Sequence, residues 1–291
     1  MLVSAIAQGL LWAVLGIGIF TTYRILKFPD LTAEGSFPLG SAVAVTAIVN
    51  GLHPLLAMLL AFAAGMGAGL VTGLLYTKGK VPVILSGILV MTGSHSVMLF
   101  VMQRSNLSLL NFPRVYDVFS FLPNYFDVVV VGLIILVGVI SLLLFFFYTS
   151  LGQAYIATGD NENMARSFGI QTDRMKIIGL VFSNGIIALG GALIAQNIGY
   201  ADVNGGTGVI VIGLASLIIG EVLFKEVTLG ERLISIVIGS IFYQLLLLGV
   251  IRLGFDTTYI RIYSASILAV CLMVPQLRTR LNLGTLMGRE D

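Results

Sequence analysis

Long apolar stretches alternate with short polar segments along most of the chain. A helix needs about twenty apolar residues, within a range of about 17 to 25, to cross the hydrocarbon core of a bilayer. Eight stretches have this character and predict membrane-spanning helices at residues 3–23, 54–76, 82–102, 128–148, 175–196, 207–224, 233–251 and 259–275. A ninth stretch, 36–51, predicts a short or broken helix. The pattern therefore predicts an all-α polytopic membrane bundle of about nine transmembrane segments, formed by residues 1–291 as a single domain.

Composition supports this prediction and excludes several classes of protein. Hydrophobic residues make up 57% of the 291 residues and charged residues 10%, whereas soluble proteins carry about 25% charged residues. The net charge of +2 is too small to indicate a nucleic-acid-binding protein. Cys271 is the single cysteine, so neither a disulfide framework nor a cysteine metal site is expected. No basic residues precede the first apolar stretch, which is interpreted as a retained span and not a cleaved signal peptide.

The basic residues predict the orientation of the chain, because Lys and Arg are enriched in cytoplasmic loops. If the loop 149–174 is cytoplasmic, twelve basic residues lie inside and four outside. The twelve are Arg24, Lys27, Lys78, Lys80, Arg166, Arg174, Lys176, Lys225, Arg232, Arg278, Arg280 and Arg289, and the four are Arg104, Arg114, Arg252 and Arg261. This distribution places the N-terminus outside and the C-terminus inside. A re-entrant 36–51 segment would instead place the N-terminus in the cytoplasm.

The loop 149–174 is the longest stretch that cannot lie in lipid, and it predicts a short capped helix over about 161–168. Asp160 or Asn161 can cap its start, Glu162 places negative charge in its first turn, and Arg166 lies in its last turn. Gly169 can adopt the left-handed conformation that closes a helix. Three apolar residues fall on one side of this helix: Met164, Ala165 and Phe168. The helix is either a docking element or part of an ordinary solvated loop.

The segment 28–40 contains two prolines, two glycines, Asp30 and Glu34. Pro38 suits the first turn of a helix that Ser36 caps. A helix that begins at or below the membrane surface beside acidic residues is typical of the broken elements around transport pathways. The alternative is an ordinary cytoplasmic loop in which both acids are solvated.

Polar residues interrupt the middle of the apolar span 82–102 at Thr92, Ser94, His95 and Ser96. Polar groups at that depth are costly unless they face the bundle interior or water. His95 is therefore either a hydrogen-bonded packing residue or a group that faces a pathway and contacts its solute. No second His, Cys or carboxylate lies at metal-ligand spacing from it.

Three further patterns carry weaker predictions. Small residues recur at Gly65, Gly69 and Gly73 and predict close packing of that helix. The external loop 103–127 contains a stretch, 115–122, that predicts a short amphipathic helix in the membrane interface. Two short segments open at Gly35-Ser36 and Gly206-Thr207 and are followed by longer spans, as a diverged transporter repeat would be.

Several motifs together resemble the coupling region of ATP-binding-cassette (ABC) importer permeases. They are Leu151-Gly152, Gly159-Asp160-Asn161, Ala165-Arg166, Gly169-Ile170, Arg174-Met175-Lys176 and the Gly-rich run 188–192. The runs 103–111 and 211–221 are also similar to this family, which includes the branched-chain amino acid, ribose and nucleoside permeases. The run 28–40 resembles the subgroup found with binding proteins for aromatic amino acids.

This resemblance implies a multi-pass permease of the bacterial inner membrane and a set of partners. The partners are a second copy of the permease, a cytoplasmic ABC ATPase and an extracytoplasmic solute-binding protein. The chain has no G-x-x-x-x-G-K-[ST] sequence, its only Gly-Lys being Gly79-Lys80. We therefore expect ATP hydrolysis on the partner ATPase, no enzymatic activity in this chain, and no cofactor or metal. The solute would be a small molecule, an amino acid that is aromatic or branched-chain.

The resemblance also implies roles for particular residues. The coupling helix, about 159–169 within the cytoplasmic loop, would contact the ATPase through Gly159, Asp160, Asn161, Glu162, Met164, Ala165, Arg166, Phe168 and Gly169. The translocation pathway would be lined by Asp30, Glu34, Ser36, Thr92, Ser94 and His95.

The competing hypothesis is a secondary transporter driven by an ion gradient, and a third is a membrane scaffold that transports nothing. A secondary transporter predicts ion-binding acids at the middle of the membrane. Asp30, Glu34 and Glu221 are all expected near its inner surface instead. A scaffold would not need polar residues between Thr92 and Ser96.

Overall fold

The computed structural model describes residues 2–119, 121–123, 125–224, 228–253 and 260–280. Its helices are α1 Leu2–Phe20, α2 Ala33–Val49, α3 Pro54–Thr77, α4 Val83–Met102, α5 Phe126–Tyr148, α6 Ser150–Asp160, α7 Glu162–Ser167, α8 Thr172–Ile198, α9 Val209–Leu223, α10 Leu229–Arg252 and α11 Ile260–Arg280. A π-helical turn, Thr21–Ile25, continues α1. Two short antiparallel strands, β1 Asn106–Ser108 and β2 Tyr200–Asp202, pair outside the helices.

Among the residues that the structure describes, six helices are long and apolar enough to cross a membrane, and three apolar helices are shorter. The three are Ala33–Val49, Val209–Leu223 and Ile262–Cys271. These nine elements occupy the nine stretches that the hydrophobic pattern marked. The predicted fold class, an all-α polytopic membrane bundle, is confirmed.

Helix α8 is the centre of the bundle, and most of its length is buried by its neighbours. Helix α3 packs against it through the predicted stripe of small residues. A Cβ atom on Gly65 or Gly69 would overlap the backbone carbonyl of Asn184 or Leu180, so only glycine allows this approach. The stripe is therefore a packing surface, as its spacing predicted.

The direction of each helix follows from its contacts with α8. Helix α3 is antiparallel to α8, because Gly65 approaches Asn184 whereas Gly73 approaches Ile177. Helix α2 is parallel to α8, since the Ser36 hydroxyl donates to Asn184 Oδ1 and the Ser41 hydroxyl donates to Gly191 O.

Helix α1 is antiparallel to α8, because Gly190 approaches Leu15 and the Thr22 hydroxyl approaches that of Ser183. Helices α1, α2 and α3 thus alternate in direction. The chain from the end of α1 to the end of α2 therefore crosses from one side to the other, and the N-terminus lies at the opposite end of the bundle from α6 and α7.

Helix α2 begins earlier than predicted, at Ala33 and not after Ser36. The prediction that Ser36 caps this helix is wrong, because its hydroxyl donates to Asn184 at 2.7 Å instead. Asp30 Oδ1 accepts from the Thr32 backbone N–H at 2.9 Å and orders the chain before the helix. The start of α2 therefore lies beside Asn184, near the middle of α8.

The stretch 115–122, predicted to contain a short helix, is helical over its first five residues. The chain forms a short 3-10 helix, Val115–Phe119, whose first two residues are buried. The Val115 N–H donates to Gln196 Oε1 and the Tyr116 hydroxyl donates to Leu193 O, both at 2.9 Å. These bonds attach the segment to the end of α8.

Candidate functional site

A cavity of about 300 Å³ opens where α2, α4 and the segment before α9 meet. Its polar lining comes from all three elements: Glu34, Thr92, His95, Asn204 and Thr207. Met91 and Met98 form part of its apolar wall. Three of the six residues predicted to line a pathway, Glu34, Thr92 and His95, are thus brought to one cavity although they are distant in sequence.

The start of α2 meets the start of α9 at this cavity. Glu34 Oε1 accepts a hydrogen bond of 3.0 Å from the backbone N–H of Gly208, the residue that caps α9. A Cβ on Gly206 would overlap the backbone oxygen of Glu34, so glycine is required for the two segments to approach. The openings at Gly35-Ser36 and Gly206-Thr207, which the sequence suggested as a repeat, therefore come together in space.

The other three predicted pathway residues lie behind this cavity. Ser36 is buried and Asp30 Oδ2 accepts from Asn184 Nδ2 at 2.7 Å, so that Asn184 joins Ser36 to Asp30. Ser94 is buried against Gly35. The sequence reasoning did not find Asn184, although a lone amide in an apolar span was the signal available.

The expected depth of the two acids is wrong. Asp30 and Glu34 flank the start of α2 beside Asn184, near the middle of α8, and not at the end of the bundle. The cause is tertiary, because the chain between α1 and α2 runs into the bundle before α2 begins. Glu221, in contrast, pairs with the half-exposed Arg24 at 2.7 Å.

Helix α4 presents polar side chains on its exposed surface halfway along its length. Thr92, His95 and Ser96 are exposed in a single copy of the chain, although Thr92 also donates to Ile88 O at 2.8 Å. Lipid cannot satisfy an imidazole or a hydroxyl. This surface therefore requires water or another protein against it.

A second arrangement lies at the opposite end of the bundle from the N-terminus, in α6 and α7. Asn161 caps α7, because its side chain accepts from the Met164 N–H at 3.1 Å. Gly169 follows with a φ of +81°, the left-handed conformation that favours glycine. The predicted short capped helix is present as Glu162–Ser167. Asp160 ends α6 and pairs with Lys27 at 3.7 Å.

Glu162 attaches α7 to the bundle. Its carboxylate lies 2.8 Å from both Lys176 Nζ and Arg166 Nη2. The hydrogen bond from Lys176 is the main reason that the pKa of Glu162 is lowered from its ordinary value. Lys176 is itself buried and also contacts Tyr76. These pairs fix the short helix relative to α8.

The predicted single apolar side of α7 is divided in the structure. Ala165 is fully buried at 0% exposure, whereas Met164 and Phe168 are 46% and 77% exposed. The prediction that Ala165 lies on the same side as Met164 and Phe168 is therefore wrong, because Ala165 fills the space between the helix and the bundle. Gly159 also faces inward, where a Cβ would overlap the Ile25 carbonyl oxygen. The outward apolar surface consists of Met164 and Phe168.

Comparison with known proteins places these two arrangements in context. A family model described as "Branched-chain amino acid transport system / permease component" matches residues 1–274. The chain is 37% identical to the tyrosine transport system permease protein of Clostridioides difficile (strain R20291), over 97% of this chain and 93% of that protein. It is 24% identical to the ribose import permease protein of Escherichia coli (strain K12), over 84% of this chain and 76% of that protein.

One solved structure has a similar fold. PsaBC from Streptococcus pneumoniae in complex with Fab matches with a TM-score of 0.51 and 16% identity, over 93% of this chain and 88% of that chain. At this identity the likeness concerns the path of the helices alone.

Proposed function

The chain belongs to the branched-chain amino acid transport permease family, and from this premise we propose that it is the membrane subunit of an ATP-driven amino acid importer. It is a multi-pass protein of the bacterial inner membrane. As a permease subunit of this family it is not itself an enzyme.

The observation that carries the proposal is the exposed pair Met164 and Phe168 on a short, fixed helix. Two large apolar side chains at the tip of a membrane protein are expected to contact a partner. The partner we propose is a cytoplasmic ABC ATPase with an apolar cleft. Because Glu162 binds both Arg166 and Lys176, movement of α7 would be transmitted to α8. Closure of the ATPase would then switch the bundle between outward and inward states.

A second copy of the chain would complete the pathway. The polar surface of α4 is exposed in one copy and would be covered by water and by the facing subunit. An extracytoplasmic binding protein would deliver the solute to the opposite end of the bundle from α7. We infer an aromatic amino acid as solute, supported by the similarity to the tyrosine permease.

Substitution at the tip of α7 tests the proposal. Permease carrying Phe168→Ser and Met164→Ser would be co-expressed with a candidate ABC ATPase, and co-purification and L-tyrosine uptake would be measured. We expect loss of the ATPase from the purified complex and at least about a tenfold fall in uptake. Phe121→Ser is the matched control, because Phe121 is 79% exposed but lies in the opposite loop. Equal recovery of the ATPase with both proteins would refute the docking role.

An ion-driven secondary transporter remains the second candidate, and the depth of Asp30 and Glu34 is the observation that favours it. The same uptake assay separates the two. An ATP-driven importer is inhibited by vanadate and works after an ionophore has dissipated the ion gradients. The reverse pattern would support ion coupling.

A further inference from the structure

We propose that Glu34 determines solute specificity within the membrane by binding the positively charged ammonium group of the solute. The inference rests on the proposed importer function and extends it, because specificity is then read by the permease as well as by the binding protein.

The binding partners of the Glu34 carboxylate support this role. One oxygen, Oε1, accepts from the Gly208 N–H, and the side chain lines the cavity. Within the described part of the chain, Glu34 takes part in none of the ion pairs, which all lie elsewhere. A carboxylate deep in a membrane protein is costly unless a positive charge faces it. His95 shares the cavity but forms no ion pair with Glu34. We therefore assign this charge to the solute.

The other residues that line the cavity combine polar groups with an apolar wall. Thr207 and Asn204 offer hydroxyl and amide groups near the carboxylate, and Thr92 and His95 add two more polar groups from α4. Met91 and Met98 supply a flexible apolar wall of the kind that accommodates side chains of varied shape. One acid, a few polar groups and an apolar wall match a small molecule that has an ammonium group, a polar end and an apolar side chain.

The size and the position of the cavity also suit a small solute. The cavity of about 300 Å³ is at the lower end of small-molecule sites, which occupy roughly 300 to 1,000 Å³. It lies where two short helices begin inside the bundle, the place where transporters commonly bind solutes. A neutral sugar of similar size would fill the space but would leave the carboxylate without a counter-charge.

Cysteine modification tests the charge selectivity of the cavity in the purified permease alone. In a Cys271→Ser background, Thr92→Cys places a thiol in the cavity lining, and Ser96→Cys is the control on the same exposed surface. The probes are the cationic 2-aminoethyl and the anionic 2-sulfonatoethyl methanethiosulfonates. At each position, the rate of modification by the cationic probe is divided by the rate for the anionic probe. We expect this ratio to be about tenfold higher at position 92 than at position 96. Glu34→Gln should abolish this preference and Glu34→Asp should retain it.

Protection by ligands tests the assignment of the ammonium group. L-tyrosine should slow modification of Thr92→Cys, whereas its analogue without the amino group, 3-(4-hydroxyphenyl)propionate, should not. Glu34→Gln should remove the difference between them. Equal protection by both compounds, protection by neither, or an unchanged rate ratio in Glu34→Gln would overturn the proposal. The cysteine assay uses the permease alone and does not depend on the ATPase. If the cysteine results were as expected but the uptake assay failed, the importer function would be contradicted and the role of Glu34 would not.

Discussion

The hydrogen bonds of Asn184 provide a test of how the start of α2 is held inside the bundle. Asn184 Nδ2 donates to Asp30 Oδ2 and its Oδ1 accepts from the Ser36 hydroxyl, both at 2.7 Å. A bond to a charged group contributes about 1.5 to 3 kcal/mol, and a neutral bond between membrane helices contributes about 0.6 to 1.7 kcal/mol. Asn184→Ala removes both and should lower the free energy of unfolding by about 2 to 5 kcal/mol.

The expected shift in melting temperature follows from this range. About 1 kcal/mol corresponds to roughly 2 °C in a protein of this size, so Asn184→Ala should melt about 4 to 10 °C lower. Ser36→Ala removes one neutral bond and should melt about 2 °C lower. Detergent-solubilised protein would be heated and the folded fraction measured by size-exclusion chromatography. Ser96→Ala also replaces a serine by alanine, but at an exposed position, and its melting temperature should stay within about 1 °C of wild type.

A double-mutant cycle decides whether the bond itself is responsible. If Ser36 and Asn184 interact as the structure describes, the two changes should be non-additive, with a coupling energy of about 1 kcal/mol. Additive effects, or an Asn184→Ala shift no larger than that of Ser96→Ala, would refute the reasoning. The polar residues at this depth would then not hold α2 in place.

Two further predictions concern α7 and the end of α6. Because the hydrogen bond from Lys176 lowers the pKa of Glu162 below its ordinary value of 4.5, Glu162 stabilises the fold above that pH and loses this contribution as the pH falls further. The melting temperature of wild type should therefore exceed that of Glu162→Gln at pH 7, and the difference should shrink below about pH 4.5; a constant difference would contradict the ion pair. Gly159→Ala should destabilise by about 1 to 3 kcal/mol, because its Cβ would overlap the Ile25 carbonyl. Gly67→Ala, which meets open space, should be neutral or stabilising in the same thermal assay.

The position of α7 could be predicted from the sequence alone, because its signals are local. Asn161 as a cap, Glu162 in the first turn and Gly169 in a left-handed turn are properties of a few adjacent residues. Neighbouring residues in the sequence do not determine which side of the helix faces outward, and the burial of Ala165 could not be predicted from residue spacing alone. A helix this short presents its apolar residues in several directions, and the surrounding elements decide which are covered.

The cavity, in contrast to α7, depends on contacts that the sequence alone does not predict. Glu34, Thr92 and His95 were each selected as polar residues in apolar surroundings, but nothing in the sequence places them together. The contribution of Asn204 and Thr207 depends on the segment before α9 reaching Glu34, a contact between residues far apart in the chain. Asn184 was missed for the same reason, since its partners lie on other elements.

The sequence by itself determined the fold class, the approximate limits of the apolar helices and the presence of a capped polar helix between two spans. These follow from the free energy of placing residues in lipid or water and from hydrogen bonds between neighbours along the chain. Only the tertiary structure decided that α2 starts deep in the bundle, that Glu34 meets the start of α9, and which side chains of α7 face outward. Those features depend on the distances between separate helices, which packing against α8 sets and local sequence does not encode.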